Sequence, residues 1–356
     1  MHGLLNATSV LEQKRCQTPF GCQAPNGCLT PLVHRVTAME PLDRATIWPY
    51  DDRGEPGPFY YSRYASPTVV EAEKRLGELE GGEAVLFPSG SGAATALVLS
   101  LLGPGDTIAL AAGAYFGTGV TFQALAKWGL RYVEFDQTGP PPDGVQLVWL
   151  EAPSNPFLTM PDLESAIAHP ARVVVDSTVA TPVHLRPLEH GADFVLHSVT
   201  KYLGGHDDTL LGAVVGRDVD ELRTFRTRTG ISPAPDAAWL LLRGLKTLEV
   251  RVKRQTETAT DLAERLRAHP KVVTVRYPGI GGLISFDVAD GAAARRVETS
   301  TRLVVNATSL GGVTSVMESR HRWEGDRVPT GLLRFSAGLE DPDALWADLA
   351  QALETA

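Results

Sequence analysis

The segment DFVLHSVTKYLGGHDD, residues 193–208, sets a strand-length apolar run, hydroxyls at Ser198 and Thr200, a lysine at 201 and a Gly-Gly turn close together. A lysine at a strand end sits where α/β proteins bind ligands, and hydroxyls just before it suit a phosphate held beside its amine. A lone loop lysine is ordinarily solvated, so the case for Lys201 rests on its neighbours. In LFPSGSGAATALVLSLLG, residues 86–103, a strand passes through small residues into a helix and brings the amides of Gly90 and Ser91 to a helix N-terminus. Free N–H groups and the helix dipole favour an anion there, although PSGSG by itself also fits a plain tight turn. The spacing matches neither a Walker loop nor a dinucleotide fingerprint.

The run VVVDSTVATP, residues 173–182, ends a buried strand on Asp176. A carboxylate so placed needs a partner to offset its desolvation. A protonated pyridine nitrogen is one, and holding that proton makes a pyridoxal ring an electron sink. A helix cap or turn is the plainer reading. Tyr115, in GAYFGTG after another strand, could stack on such a ring or belong to the core.

These residues must be positioned by a large fold. The chain has 356 residues, 43% of them hydrophobic, enough for two or three domains with sizeable cores. From residue 70, VVEAEKRLGELEG reads as an amphipathic helix with Val70, Leu76 and Leu79 on its apolar face and Gly81-Gly82 as its stop. Apolar runs at 84–88, 107–111, 132–135, 147–151, 173–177, 194–198 and 211–216 then alternate with helical stretches. Continuous rather than alternating runs indicate a mostly parallel sheet buried on both faces, hence an α/β protein. After about residue 230, one long helical stretch from Asp236 to Ala268 precedes short strands and helices, the pattern of a smaller α+β domain.

The formal net charge of −9 offers nucleic acid or anionic lipid no basic surface, and no apolar run approaches the ~20 residues of a membrane helix. The expected compartment is the cytoplasm. Cys16, Cys22 and Cys28 lie in an irregular N-terminal arm with His34 nearby; their number and spacing fit neither a zinc site nor paired disulfides, and no metal is expected.

The combination resembles the Cys/Met-metabolism family of pyridoxal-phosphate enzymes, which includes cystathionine γ-synthases, cystathionine lyases, methionine γ-lyase and O-acetylhomoserine sulfhydrylases. The likeness runs from about Tyr60 to the C-terminus through YSRYASPT (61–68), ELEGGEAVLFPSGSGAA (78–94), EAPSNP (151–156), VVVDSTVATP, HSVTKYLGGHDD, RGLKTLEVR (243–251), TSLGGVTS (308–315) and LLRFSAGLEDPDAL (332–345). It implies the aminotransferase-like fold of type I pyridoxal-phosphate enzymes: an arm over residues 1–60, a cofactor domain over 61–230 with a mainly parallel seven-stranded sheet, and a C-terminal α+β domain over 231–356. Residue by residue, it implies that Lys201 binds pyridoxal 5'-phosphate covalently and acts as the central base, its amine lowered by burial and by the cationic cofactor. Asp176 would face the ring nitrogen, and Tyr115 would stack on the ring and serve as an acid/base. Gly90, Ser91, Ser198 and Thr200 would hold the phosphate, completed by Tyr61 and Arg63 of a neighbouring subunit. Asn155, Ser309 and Arg334 would take the substrate, with Arg334 as a guanidinium fork for its α-carboxylate. A homodimer with shared sites, assembled further into a tetramer, follows from the same likeness.

Several positions depart from the family pattern. Ser66 replaces the usual Asn before Pro-Thr, and YPGIGGLISFDV (277–288) lacks a segment normally present after YPG. Gly117 stands where methionine γ-lyases carry a reactive Cys, and Thr308 where several γ-enzymes carry Glu. The stretch 315–331 is similar to a bacterial branch labelled cystathionine γ-lyase. In it Arg320, His321 and Arg322 read as a solvated basic turn, with contact to a distal substrate carboxylate as the alternative. The expected activity is a carbon–sulfur lyase, a cystathionine γ-lyase releasing cysteine, 2-oxobutyrate and ammonia. The alternative is a γ-replacement transferase; a silent binding protein on the same fold and an ordinary aminotransferase rank below both.

Overall fold

The computed structural model describes residues 41–356. The cysteine-bearing stretch, with Cys16, Cys22, Cys28 and His34, lies outside them. Each of the seven apolar runs forms a strand: β1 (Glu83–Phe87), β2 (Thr107–Ala111), β3 (Arg131–Phe135), β4 (Leu147–Glu151), β5 (Arg172–Asp176), β6 (Phe194–Ser198) and β7 (Gly212–Gly216). They make one sheet in the order β1-β7-β6-β5-β4-β2-β3. Only β7 runs against its neighbours, pairing antiparallel with β1 and β6, while the remaining pairs are parallel.

The continuous apolar runs follow from this topology, because side chains alternate between two covered faces. Leu86, Val195 and Val215 point into the core beneath helix α1 (Pro67–Glu80), and Val85, Leu196 and Val214 into the core beneath helix α2 (Gly90–Leu101). Every residue of central β4 is buried, whereas edge strand β3 is largely solvated. Helix α1 stops at Gly81, whose φ of 80° a side chain would resist. Its buried face is set by Val69, Ala72, Leu76 and Leu79; Val70, expected on that face, is 40% exposed. Leu76 and Leu79 are compatible with either valine, and packing on the sheet selects the earlier one.

The stretch expected as one helix over Asp236–Ala268 is two, Pro235–Leu245 and Leu248–Arg267. Arg251 explains the break: its buried guanidinium donates to the carbonyl of Tyr202 at 2.8 Å and to that of Gly244 at 2.9 Å, satisfying an acceptor freed at the helix end. A second sheet holds β8 (Thr274–Arg276), β9 (Leu283–Asp287), β10 (Val305–Asn306), β11 (Val316–Ser319) and β12 (Leu332–Ser336), ordered β10-β11-β12-β9-β8. Strand β11 was not expected, since a charged residue interrupts its short apolar run. No described helix is long and apolar enough to cross a membrane.

Candidate active site

A cleft of about 400 Å³ opens at the C-terminal ends of β4, β5 and β6 and the N-terminus of α2. It is lined by Gly90, Ser91, Ser198 and Thr200 on one side, and by Tyr115, Asn155, Asp176, Lys201, Ser309 and Arg334 on the others. Ser89 caps α2 by accepting the Gly92 N–H at 3.0 Å, which leaves the first amides of the helix without an intrahelical partner. Gly90 is pressed against β6 so closely that a Cβ there would lie 2.9 Å from Ser198 Cβ. Thr200 also lines the cleft, but its hydroxyl exchanges hydrogen bonds with the Leu211 backbone.

Asp176 is 8% exposed, and Oδ1 alone accepts both Thr178 bonds, from the amide at 3.0 Å and the hydroxyl at 2.5 Å. Burial raises its pKa from the ordinary carboxylate value, and the Thr178 bonds oppose that rise. Parallel pairing of β4 with β5 sets Glu151 beside it. Glu151 accepts the Tyr115 N–H at 2.6 Å, and burial, then the Asp176 charge, push its carboxyl well above the ordinary value. Tyr115 begins helix α3 (Phe116–Leu125) and keeps 38% of its surface exposed at the cleft.

Lys201 Nζ donates to Ser309 Oγ at 3.0 Å, joining a loop after β6 to the segment before β11. Burial, and then the Arg334 charge, lower the lysine amine to about 8. Ser309 itself has a φ of 101°, a conformation costly for a residue with a side chain. Its carbonyl accepts Arg334 Nη2 at 3.1 Å, while Arg334 Nη1 donates to Asn155 Oδ1 at 3.1 Å. The serine is thus held from both sides, by the lysine and by the arginine.

The family profile described as Cys/Met metabolism PLP-dependent enzyme matches residues 33–354. The chain belongs to this family of pyridoxal-phosphate enzymes. A Streptomyces coelicolor protein provisionally named a cystathionine gamma-lyase is 42% identical over 335 residues, covering 85% of each chain. A Streptomyces avermitilis L-methionine gamma-lyase is 40% identical over 354 residues, covering 88% of this chain and 84% of that protein. The crystal structure of cystathionine gamma synthase from Xanthomonas oryzae in complex with cystathionine superposes with a TM-score of 0.83 at 33% identity, covering 88% of this chain and 92% of that one. The fold is accordingly that of type I pyridoxal-phosphate enzymes, and the protein is a pyridoxal-phosphate-dependent enzyme acting on sulfur amino acids.

The cleft fits the family's cofactor on its own geometry. The bare Gly90 backbone lets α2 close onto β6 and leaves helix-end N–H groups for a phosphate. Asp176 keeps Oδ2 for a donor arriving from the cleft, and Lys201 presents an amine that burial makes readily neutral. These complement a phosphate, a protonated ring nitrogen and an aldehyde.

Tyr61 and Arg63 lie outside the lining of this cleft. The Arg63 guanidinium sits 5.4 Å from the Tyr61 ring centroid and donates to the Thr227 carbonyl at 3.0 Å. The basic turn requires a correction at one residue: Arg320 is only 2% exposed and lines the cleft, whereas Arg322 is exposed beside its partner Glu298. Two carboxylates were missed. Glu151 ends the run LVWLE as Asp176 ends VVVD, so the strand-end argument applied to Asp176 would have found it. Glu318, on the unexpected β11, accepts Arg320 Nη1 and Arg334 Nη2, each at 2.6 Å, and Thr308 Oγ1 at 3.0 Å, all on Oε1.

Proposed function

We propose that this enzyme is a cystathionine γ-lyase, converting cystathionine and water to cysteine, 2-oxobutyrate and ammonia in the cytoplasm. The observation that carries the reading is the linked trio of Lys201, Ser309 and Arg334, which sets a neutralisable amine beside a carboxylate-binding fork. Pyridoxal phosphate, when bound, withdraws electrons so that protons on the substrate's Cα and then Cβ become removable. Asp176 would hold the ring-nitrogen proton through Oδ2. Gly90, Ser91, Ser198 and Thr200 would surround the phosphate. Arg334, with Asn155 and Ser309 fixing its plane, takes the α-carboxylate and so orients Cα toward Lys201 Nζ. Lys201, lowered to about 8, holds a useful free-amine fraction near neutral pH and removes the Cα proton. Tyr115 at the cleft supplies a proton to the departing sulfur.

Arg320 supports cystathionine over methionine, because a substrate ending in a methyl group has no charge for a second buried cation. The 42% identity to the Streptomyces coelicolor relative supports elimination. Likeness to a cystathionine gamma synthase favours γ-replacement as the second reading, with the same residues in the same roles. Tyr61 and Arg63, exposed or half-buried away from their own cleft, support a homo-oligomer in which they serve a neighbour's phosphate.

The test is to incubate the holoenzyme with cystathionine and assay 2-oxobutyrate together with free thiol. Both products in equal amounts support the lyase. A protein inert on cystathionine but active on an activated homoserine plus thiol makes the transferase the function instead.

A further inference from the structure

Arg320 is as buried as a core residue yet lies on the cleft wall. Its Nε donates to Glu324 Oε1 at 2.9 Å and its Nη1 to Glu318 Oε1 at 2.6 Å. Nη2 lies 2.9 Å from Glu324 Oε1 but makes no hydrogen bond among the described residues, although it is shielded from water. Nη2 thus has an ion-pair contact but no aligned hydrogen bond, which leaves donor capacity for a carboxylate entering the cleft. The group is also placed along a path. On one side it shares Glu318 Oε1 with Arg334, and on the other its Cζ lies 5.7 Å from the Phe116 ring centroid. Trp323, 55% exposed on the cleft wall, is tied to the same carboxylate through Nε1 to Oε2 at 3.0 Å.

We propose that Arg320 recognises a second carboxylate on the substrate, the one on the half that leaves as the thiol. This rests on the reading that Arg334 takes the α-carboxylate. With that end fixed, the substrate chain runs from Arg334 past Arg320 toward Phe116 and Trp323, and the Arg320 guanidinium, whose Nη2 lacks an aligned hydrogen bond, meets the distal carboxylate. Glu318 and Glu324 orient the guanidinium. Glu318 bridges the two arginines through one oxygen, and Glu324 pairs with Arg320 alone, so the two guanidinium groups are held as separate groups. A methyl thioether gains nothing from this group, so Arg320 separates cystathionine from methionine rather than raising affinity for amino acids in general.

The experiment titrates wild-type, Arg320→Gln and Arg320→Lys holoenzymes with cystathionine and, separately, with methionine, following the cofactor absorbance band. Loss of one charge-assisted contact weakens binding by about 10- to 100-fold, so Arg320→Gln should lose that much for cystathionine and little for methionine. Arg320→Lys keeps the charge without the fork and should fall between. Should the Gln variant not fold, the Lys variant alone must weaken cystathionine selectively. Equal weakening of both amino acids, or no change in either, overturns the proposal and makes Arg320 a structural cation. Selective binding of cystathionine without 2-oxobutyrate formation would remove the lyase reading and leave the role of Arg320 in place.

Discussion

The ring of Tyr115 occupies the space that a side chain at residue 117 would need: a Cβ on Gly117 would lie 2.5 Å from Tyr115 Cε1 and 3.0 Å from its hydroxyl oxygen. The phenol is thereby placed by an absence two residues along the chain. Its backbone is fixed separately, by the 2.6 Å bond to Glu151.

Gly117→Ala should therefore move the ring while leaving the fold intact. Gly117 lies in the first turn of α3, where alanine is favoured by about 0.5–1 kcal/mol, so the melting temperature should hold or rise. A positioned acid/base contributes about 10²- to 10⁴-fold in rate, so a ring shifted but not removed should lower kcat on cystathionine by at least about 10-fold with KM nearly constant. Steady-state kinetics beside a thermal melt check this, and an unchanged kcat would remove Tyr115 from the proton transfers.

Lys201 carries a pH signature in the cofactor-free protein. Burial lowers its amine from 10.5 to about 8, so below pH 8 the folded state pays for a buried charge that the unfolded state solvates freely. Between pH 8 and 10.5 the unfolded chain binds the extra proton, and stability from this group rises with pH. Lys201→Met should accordingly stabilise the cofactor-free protein by roughly 2 kcal/mol at pH 7, after allowing for the lost Ser309 bond, with the advantage fading toward pH 10. Urea melts at the two pH values measure it; an advantage that does not fade would trace to packing instead of charge.

The close approach of Gly90 to Ser198 gives a third expectation. In Gly90→Ala the new methyl would meet Ser198 Cβ at 2.9 Å and Cα at 3.1 Å, prising the start of α2 from β6 and dispersing the amides offered to the phosphate. Cofactor affinity should drop about 10-fold, the scale of one charge-assisted contact. Gly103→Ala, whose Cβ would find its nearest neighbour at 3.9 Å, should not change it. Reconstitution titrations of the two variants make the comparison.

Much of this protein was legible before its fold was known. Seven strands stood out because a buried parallel sheet demands continuous apolar runs, and Asp176 and Lys201 stood out because they sit at the ends of two of them. Those are local signals: a period, a residue type, a position at a boundary. Val69 rather than Val70 on the core face, and the break before Leu248, were decided by contacts with a sheet and with Tyr202 that no window of sequence contains. At Arg320 the counter-charges Glu318 and Glu324 are sequence neighbours, and what the sequence does not show is that all three side chains turn inward together. A run of charge is solvated unless counter-charges enclose it, and Arg320 meets Glu318 and Glu324 only once β11 and the helix after it have formed. The 2.6 Å contact from Glu318 to Arg334, which makes the two arginines one unit, depends on antiparallel pairing of β11 with β12. Strand ends and a helix start, together with the family resemblance of the blocks around them, indicated the cofactor chemistry from sequence. Tertiary structure decided which charges are buried together, because the energy of a buried ion depends on partners that only the fold brings within reach.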